Sequence, residues 1–174
     1  KEDPSEMDLV GRQEAPDIAS KSAIVTRHKP REGIFVIDLT LDLVFRKLRD
    51  GWNLSTPGAH VTVEKLKKGG VNLVLSAIPV SRGEGAFESL LEMMKINHNL
   101  VEETKGAVKV VSSLEQAQKL SEAGVISVMV LLEGADALEG KLDQLPDLKK
   151  RGLAIIGLVA GANNGFADSS AHPR

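Results

Sequence analysis

The sequence predicts an α/β fold built on a parallel sheet, because apolar strands alternate with amphipathic helices along most of the chain. Four segments are long, β-branched and apolar enough to be buried parallel strands. Right-handed crossovers between parallel strands are compatible with two architectures for such units, a TIM-like (β/α)8 barrel or a small open doubly wound sheet. A barrel typically needs ~250 residues, so a chain of 174 residues would form about half of one. The pattern of strands and helices alone does not distinguish these two architectures.

Two regions differ in composition. Residues 1–32 are polar and charged and are interrupted by three prolines, which predicts an N-terminal arm. At most a short helix or strand is expected there, over residues 18–26. The α/β domain is then predicted to occupy residues 33–174.

The domain begins with a strand over residues 33–43 that is apolar on both faces, as expected of a buried parallel strand. A short amphipathic helix follows and ends at Gly51, and Thr62 is the predicted cap of the next helix. The second strand covers residues 71–80, and a glycine-rich loop leads from it to a long helix over residues 87–105.

The second part of the domain repeats the alternation. The predicted elements are a brief strand-like piece, a helix, the third main strand, another helix and the fourth main strand, over residues 108–111, 113–123, 125–134, 136–151 and 153–161. Pro146 predicts a kink in the last of these helices.

Composition excludes several classes of function. A net charge of −2 gives no electrostatic footprint for nucleic acid or an anionic membrane surface. No apolar run approaches the roughly 20 residues that a membrane span needs. The absence of cysteine excludes disulfides, thiolate zinc sites and a cysteine nucleophile. Because residue 1 is lysine and not methionine, a processed or trimmed N-terminus is expected.

Polar side chains follow two of the predicted strands. Glu133 ends the third main strand, and Asn163, Asn164 and Asp168 follow the fourth. Ligands of parallel α/β folds bind at the carboxyl ends of the strands, so these residues are candidates for a site. Structural roles are the alternatives: Glu133 would cap the next helix, and the asparagines would shape a turn beside Gly165.

Three segments in order, VIDLTLD, LEGADALEG and LAIIGLVAGANNGFADSS, resemble motifs of the membrane (renal) dipeptidase family. That family consists of zinc dipeptidases of the amidohydrolase superfamily with a (β/α)8 barrel. The resemblance extends from about Ile34 to Ser170. It implies a metallohydrolase fold, and it implies a periplasmic or extracellular location.

The resemblance assigns roles to five residues. Asp42 matches the aspartate of the metal pair on the first strand, and Glu133 matches the carboxylate that bridges the two zinc ions. Asn163, Asn164 and Asp168 match the loop beside the substrate pocket.

Other positions depart from the family pattern. Thr40 replaces the metal-binding histidine of the first strand, and Ala160 replaces the histidine near the substrate. The last two metal histidines of the family lie on later strands, beyond Arg174. Because catalytic zinc normally has three protein ligands and favours imidazole, no cofactor is expected for this chain alone. Asp42 and Glu133 would hold Mg²⁺ or Mn²⁺ weakly.

Three hypotheses about function follow. The first is a dipeptidase-like protein with a degenerate metal site, weak or inactive as an enzyme and used for binding or scaffolding. The second is half of an active dipeptidase, with the remaining ligands on a second chain. The third is a small open-sheet binding domain. Because folds outlast functions, the missing histidines favour the first. The predicted partner is the C-terminal half of the barrel, as a separate fragment or chain, with a homo-oligomer as the alternative.

Overall fold

The computed structural model describes residues 33–79 and 82–171, so the predicted arm of residues 1–32 lies outside the described residues. Helices and strands alternate along the described part of the chain. In chain order they are β1 (Val36–Leu41), α1 (Leu43–Asp50), α2 (Val63–Lys68), β2 (Val71–Pro79), α3 (Ala86–Glu102), β3 (Val108–Val110), α4 (Leu114–Glu122), β4 (Ile126–Glu133), α5 (Leu145–Lys150) and β5 (Leu153–Gly157).

All the strands belong to one parallel sheet. β2 lies between β1 and β4, and β5 pairs with the other edge of β4. The four main strands are therefore adjacent in chain order, which confirms the predicted parallel α/β fold of βα units. β3 pairs with the first half of β4 and β5 with its second half, so the two short strands follow one another along the same edge.

The two faces of the sheet are covered differently. One face packs against α1, α3 and α5 through residues such as Val44, Leu90 and Leu132, which are fully buried. The opposite face is covered by α4, where Ala117 packs near Leu73 and Met129.

β1 is more exposed than the sequence pattern predicted. Ile37 and Leu39 are 38% and 66% exposed, although a strand buried on both faces was expected. The reason is that, among the described residues, β1 pairs with β2 alone and forms one edge of the sheet. An apolar strand at a sheet edge is a template for further pairing.

The predicted helix over residues 136–151 is wrong. Its first part forms two 3₁₀ turns, Ala135–Leu138 and Leu142–Gln144, and only Leu145–Lys150 is α-helical. Glu139 and Gly140 both have left-handed backbone conformations, with φ of 49° and 73°, which interrupts the helix. Pro146 lies in the first turn of α5, where its missing N–H costs no hydrogen bond, so it begins a helix and does not kink one.

The predicted helix ends agree more closely with the structure. The side chain of Thr62 accepts a hydrogen bond from the backbone N–H of Lys65 at 3.2 Å and so caps α2. Gly51 ends α1 in a left-handed conformation with a φ of 70°. β5 ends at Gly157, four residues before the predicted end at position 161, so a longer loop than expected precedes Asn163.

Candidate functional site

Asp42 and Glu133 lie at the same edge of the sheet. β1 ends at Leu41, which is level with Ser76 of β2, and β4 ends at Glu133, which pairs with Pro79 of β2. Because the strands are parallel, both residues are at the carboxyl edge. β2 lies between them, so two strand spacings of about 5 Å separate them across the sheet, and an offset of about two residues along the strands increases the distance further.

Glu133 is half-buried at the end of a buried strand. Alternation along β4 places it on the face of Leu131, opposite the face that packs against α3. Among the described residues, no hydrogen bond or ion pair to its carboxylate is present. It does not cap the following turn, because Gly134 occupies the cap position and no side-chain cap bond is made there. The described residues thus leave the Glu133 carboxylate without a hydrogen-bond or ion-pair partner.

The loop after β5 is shaped by two asparagine side chains. The Asn164 amide donates to Asp136 Oδ2 at 2.8 Å and accepts from the backbone N–H of Phe166 at 2.8 Å. Asn163 Oδ1 accepts from the backbone N–H of Ser169 at 2.6 Å. These hydrogen bonds shape the loop, which is the structural role that the sequence analysis gave as the alternative for both asparagines. Contact between this loop, including the exposed Asp168, and a substrate stays a prediction.

Arg82 connects three loops at this edge. Its guanidinium donates to the carbonyls of Ala160 and Ala162 at 2.8 and 3.3 Å, and its Nε lies 3.8 Å from Asp136 Oδ2. Together with the Asn164–Asp136 bond, these contacts tie the loop before α3 to the loops after β4 and β5. The sequence analysis missed Arg82 and Asp136, because their partners are distant in the chain and no local motif marks them.

A cavity of about 180 Å³ lies beside Asp42, away from Glu133. Thr40, Asp42 and Arg46 line it together with Trp52 and His60 from the following loop. Sequence spacing gave no reason to group His60 with Asp42. The exposed His60 ring stacks on the Trp52 ring with 5.5 Å between centroids.

The chain matches the model of the membrane dipeptidase family, peptidase family M19, over residues 27–174. This chain belongs to the membrane dipeptidase family. The family resemblance predicted from the three sequence segments is thereby confirmed. No curated protein sequence matches the chain.

Solved structures agree with this assignment. The dipeptidase AC, a metallopeptidase of family M19, is 26% identical, with a TM-score of 0.65 over 74% of this chain and 43% of that one. The probable dipeptidase PvdM from Pseudomonas aeruginosa is 24% identical, with a TM-score of 0.66 over 80% of this chain and 38% of that one.

A metallopeptidase from Rhodobacter sphaeroides, solved with a phosphinate mimic of the dipeptide L-Ala-D-Ala, is 23% identical. Its TM-score is 0.63 over 72% of this chain and 45% of that one. The chain thus spans less than half the length of these solved structures. Within residues 33–79 and 82–171, no helix is long and apolar enough to cross a membrane.

The described residues do not by themselves supply the ligands of the zinc pair that the membrane dipeptidase resemblance implies. No group of three or more His, Cys, Asp or Glu side chains among them could hold a metal ion. The Thr40 hydroxyl donates to the carbonyl of Leu39 at 2.7 Å, so the backbone uses it. At position 160, where the resemblance implies an imidazole, this chain has the methyl group of alanine.

Near this edge, Glu139 caps the N-terminus of α3. Its Oε1 accepts from the backbone N–H of Ala86 at 2.8 Å, and Lys141 Nζ lies 2.7 Å from its Oε2. The hydrogen bond from Lys141 lowers the pKa of Glu139 below its ordinary value, and the backbone N–H groups of Ala86 and Phe87 add to this. The same bond raises the pKa of Lys141.

Replacing Glu139 with glutamine is expected to reduce stability at neutral pH. A carboxyl group whose pKa is lowered by folding stabilises the native state above its ordinary pKa, and the contribution disappears as the pH falls through the lowered value. Urea unfolding of the variant and the parent, followed from neutral to acid pH, measures this. The midpoints should differ at neutral pH and converge in acid. Glu92→Gln, on the exposed face of α3, is the control. A difference between the urea midpoints that does not change with pH would show that the charge of the Glu139 carboxylate does not stabilise the fold.

Proposed function

We propose that this membrane dipeptidase family member binds dipeptide-like ligands at the carboxyl edge of its sheet and hydrolyses them weakly or not at all. The observation that carries the proposal is the combination of an unpaired Glu133 carboxylate and the absence of a three-ligand metal group among the described residues. A carboxylate half-buried at a strand end requires a partner, which a ligand's ammonium group would supply.

The proposed site has two parts. Asp42 and Glu133 supply oxygen ligands, which suit Mg²⁺ or Mn²⁺ at low affinity better than zinc. Asn163, Asn164 and Asp168 form the side of the site that faces the substrate, and Arg82 holds their loop in place through the carbonyls of Ala160 and Ala162.

The proposed partner is the remainder of the barrel, supplied by a longer polypeptide, a separate fragment or a second chain. Both outer strands expose apolar side chains on or just beyond them. These are Ile37, Leu39, Ile155 and Leu158, which are 38%, 66%, 39% and 55% exposed. Natural proteins cover such edges. A second copy of the same chain is the alternative partner.

One observation favours an active enzyme as a second candidate. A metal-bridging carboxylate whose other ligands come from elsewhere would also have no partner among the described residues, as is the case for Glu133. In that case zinc binding and hydrolysis would require residues contributed by the other part of the barrel.

Turnover and binding of L-Ala-D-Ala distinguish the two candidates. Hydrolysis is measured by amine release with Zn²⁺, Mg²⁺ or Mn²⁺, and binding by calorimetry. We expect saturable binding that Glu133→Gln weakens, with no turnover above the blank without protein. Glu92→Gln, an exposed carboxylate on α3, is the matched control. Metal-dependent turnover abolished by Glu133→Gln would establish the second candidate, and the absence of both binding and turnover would refute the first.

A further inference from the structure

The cavity beside β1 has an apolar floor and a polar rim. Leu43, Leu54, Ala59 and Leu100, each at most 9% exposed, form the floor. Its volume is about 180 Å³. An apolar cavity of roughly 150 Å³ binds benzene, so this one accommodates a ligand slightly larger than benzene.

One wall of the cavity is aromatic. The rings of Trp52 and His60 are stacked at an interplanar angle of 24°. The guanidinium carbon of Arg46 lies 5.8 Å from the centroid of the Trp52 ring, a cation–π distance. The stacked rings thus place the positive charge of the Arg46 guanidinium at the rim of the cavity.

Two opposite charges stand at this rim without neutralising each other. Asp42 and Arg46 are one helical turn apart at the start of α1, a spacing that brings their side chains to one side of the helix. No ion pair joins them among the described residues. Arg46 Nη1 binds Asp50 at 3.1 Å, which leaves the other donors of the guanidinium for a ligand.

This charge pattern selects the ligand. A simple anion would meet the Asp42 carboxylate, and a simple cation would meet the Arg46 guanidinium. A zwitterion with adjacent ammonium and carboxylate groups satisfies both, and the apolar floor accepts its side chain. We propose that the cavity binds a free α-amino acid with an apolar side chain of about the size of leucine, with its ammonium group at Asp42 and its carboxylate at Arg46.

This proposal requires neither a metal nor hydrolysis, but it shares Asp42 with the proposed function, so a metal ion and the ammonium group of the amino acid are alternative partners of that carboxylate. Trp52 is the single tryptophan of the chain and lines the cavity, so its fluorescence reports occupancy directly. The protein in its native assembly is titrated with L-leucine in the presence of EDTA, which removes any contribution from metal ions. We expect a saturable change in fluorescence with roughly millimolar affinity.

Two analogues test the recognition of each charge. Isocaproate lacks the ammonium group and isoamylamine lacks the carboxylate. Each should bind at least about tenfold more weakly than leucine, because each lacks one of the two charged groups and therefore loses the strong hydrogen bonds that this group makes with Asp42 or Arg46. Since these comparisons use the unmodified protein, they remain decisive if a variant fails to fold.

Two arginines on α1 form a matched pair of variants. Arg46→Gln should weaken leucine binding at least about tenfold and remove the preference for leucine over isoamylamine. Arg49 also binds Asp50, through a hydrogen bond of 2.8 Å, but it is not among the residues that line the cavity. Arg49→Gln should therefore leave leucine binding unchanged.

Three results would overturn the proposal. The first is the absence of a saturable response to leucine, as expected if a side chain from the rest of the barrel fills the cavity. The second is equal binding of leucine and the two analogues. The third is an equal loss of affinity in the Arg46 and Arg49 variants. None of these results bears on dipeptide binding at Glu133.

Discussion

Replacing Gly152 with alanine is expected to destabilise the protein by roughly 2–5 kcal/mol. Gly152 is buried between α5 and β5 and has a φ of 95°. A Cβ added there would lie 2.4 Å from Val110 Cγ1, at the point where β3 ends and β5 begins. The clash must move the Val110 side chain or shift one of the two strands along the edge of β4, and the left-handed backbone adds a conformational cost.

Urea unfolding separates these two costs. Gly140 also has a left-handed conformation, with a φ of 73°, but no atom lies within 4 Å of the position of an added Cβ. Gly140→Ala should therefore show the conformational cost alone. Adding Val110→Ala to Gly152→Ala should recover part of the steric cost. Equal destabilisation by Gly152→Ala and Gly140→Ala would show that β3 and β5 do not meet closely.

Replacing Leu39 with lysine is expected to impair assembly strongly. In the described residues Leu39 is 66% exposed on β1, and a substitution at a surface position normally changes stability by no more than about 0.5 kcal/mol. If further strands cover this edge in the complete barrel, the lysine would be buried without a partner, at a cost of several kcal/mol. The assembled protein would then lose its partner or become insoluble.

Leu142→Lys is the matched control for this prediction. Leu142 is 50% exposed and lies in a 3₁₀ turn, away from both outer strands. Sedimentation of the two variants with the partner present measures the difference. If Leu39→Lys assembles as well as Leu142→Lys, the edge of β1 is not covered and the proposed completion of the barrel is wrong.

The sequence predicted the features that depend on local patterns. The pattern of apolar residues and the composition of each segment located all the main strands. Thr62 and Gly51 marked helix ends where the structure has them. Parallel pairing then placed Asp42 and Glu133 at one edge. The exception was the helix predicted over residues 136–151, where the left-handed backbone at Glu139 is not evident from the residue type.

Features that depend on distant contacts were not predictable. Arg82 and its carbonyl partners are separated by about 80 residues, and no pattern in one sequence joins them. The stacking of His60 on Trp52 depends on how the loop between α1 and α2 folds back towards β1. The exposure of β1 reflects the missing neighbour at its edge and not its own composition.

The mass of the 174-residue polypeptide, produced by itself and measured by size-exclusion chromatography with light scattering, tests the half-barrel account most directly. With two uncovered apolar edges, the polypeptide should self-associate or aggregate. A soluble species at 18.6 kDa that unfolds cooperatively and has no associated fragment would contradict the account, and it would favour a small open-sheet domain.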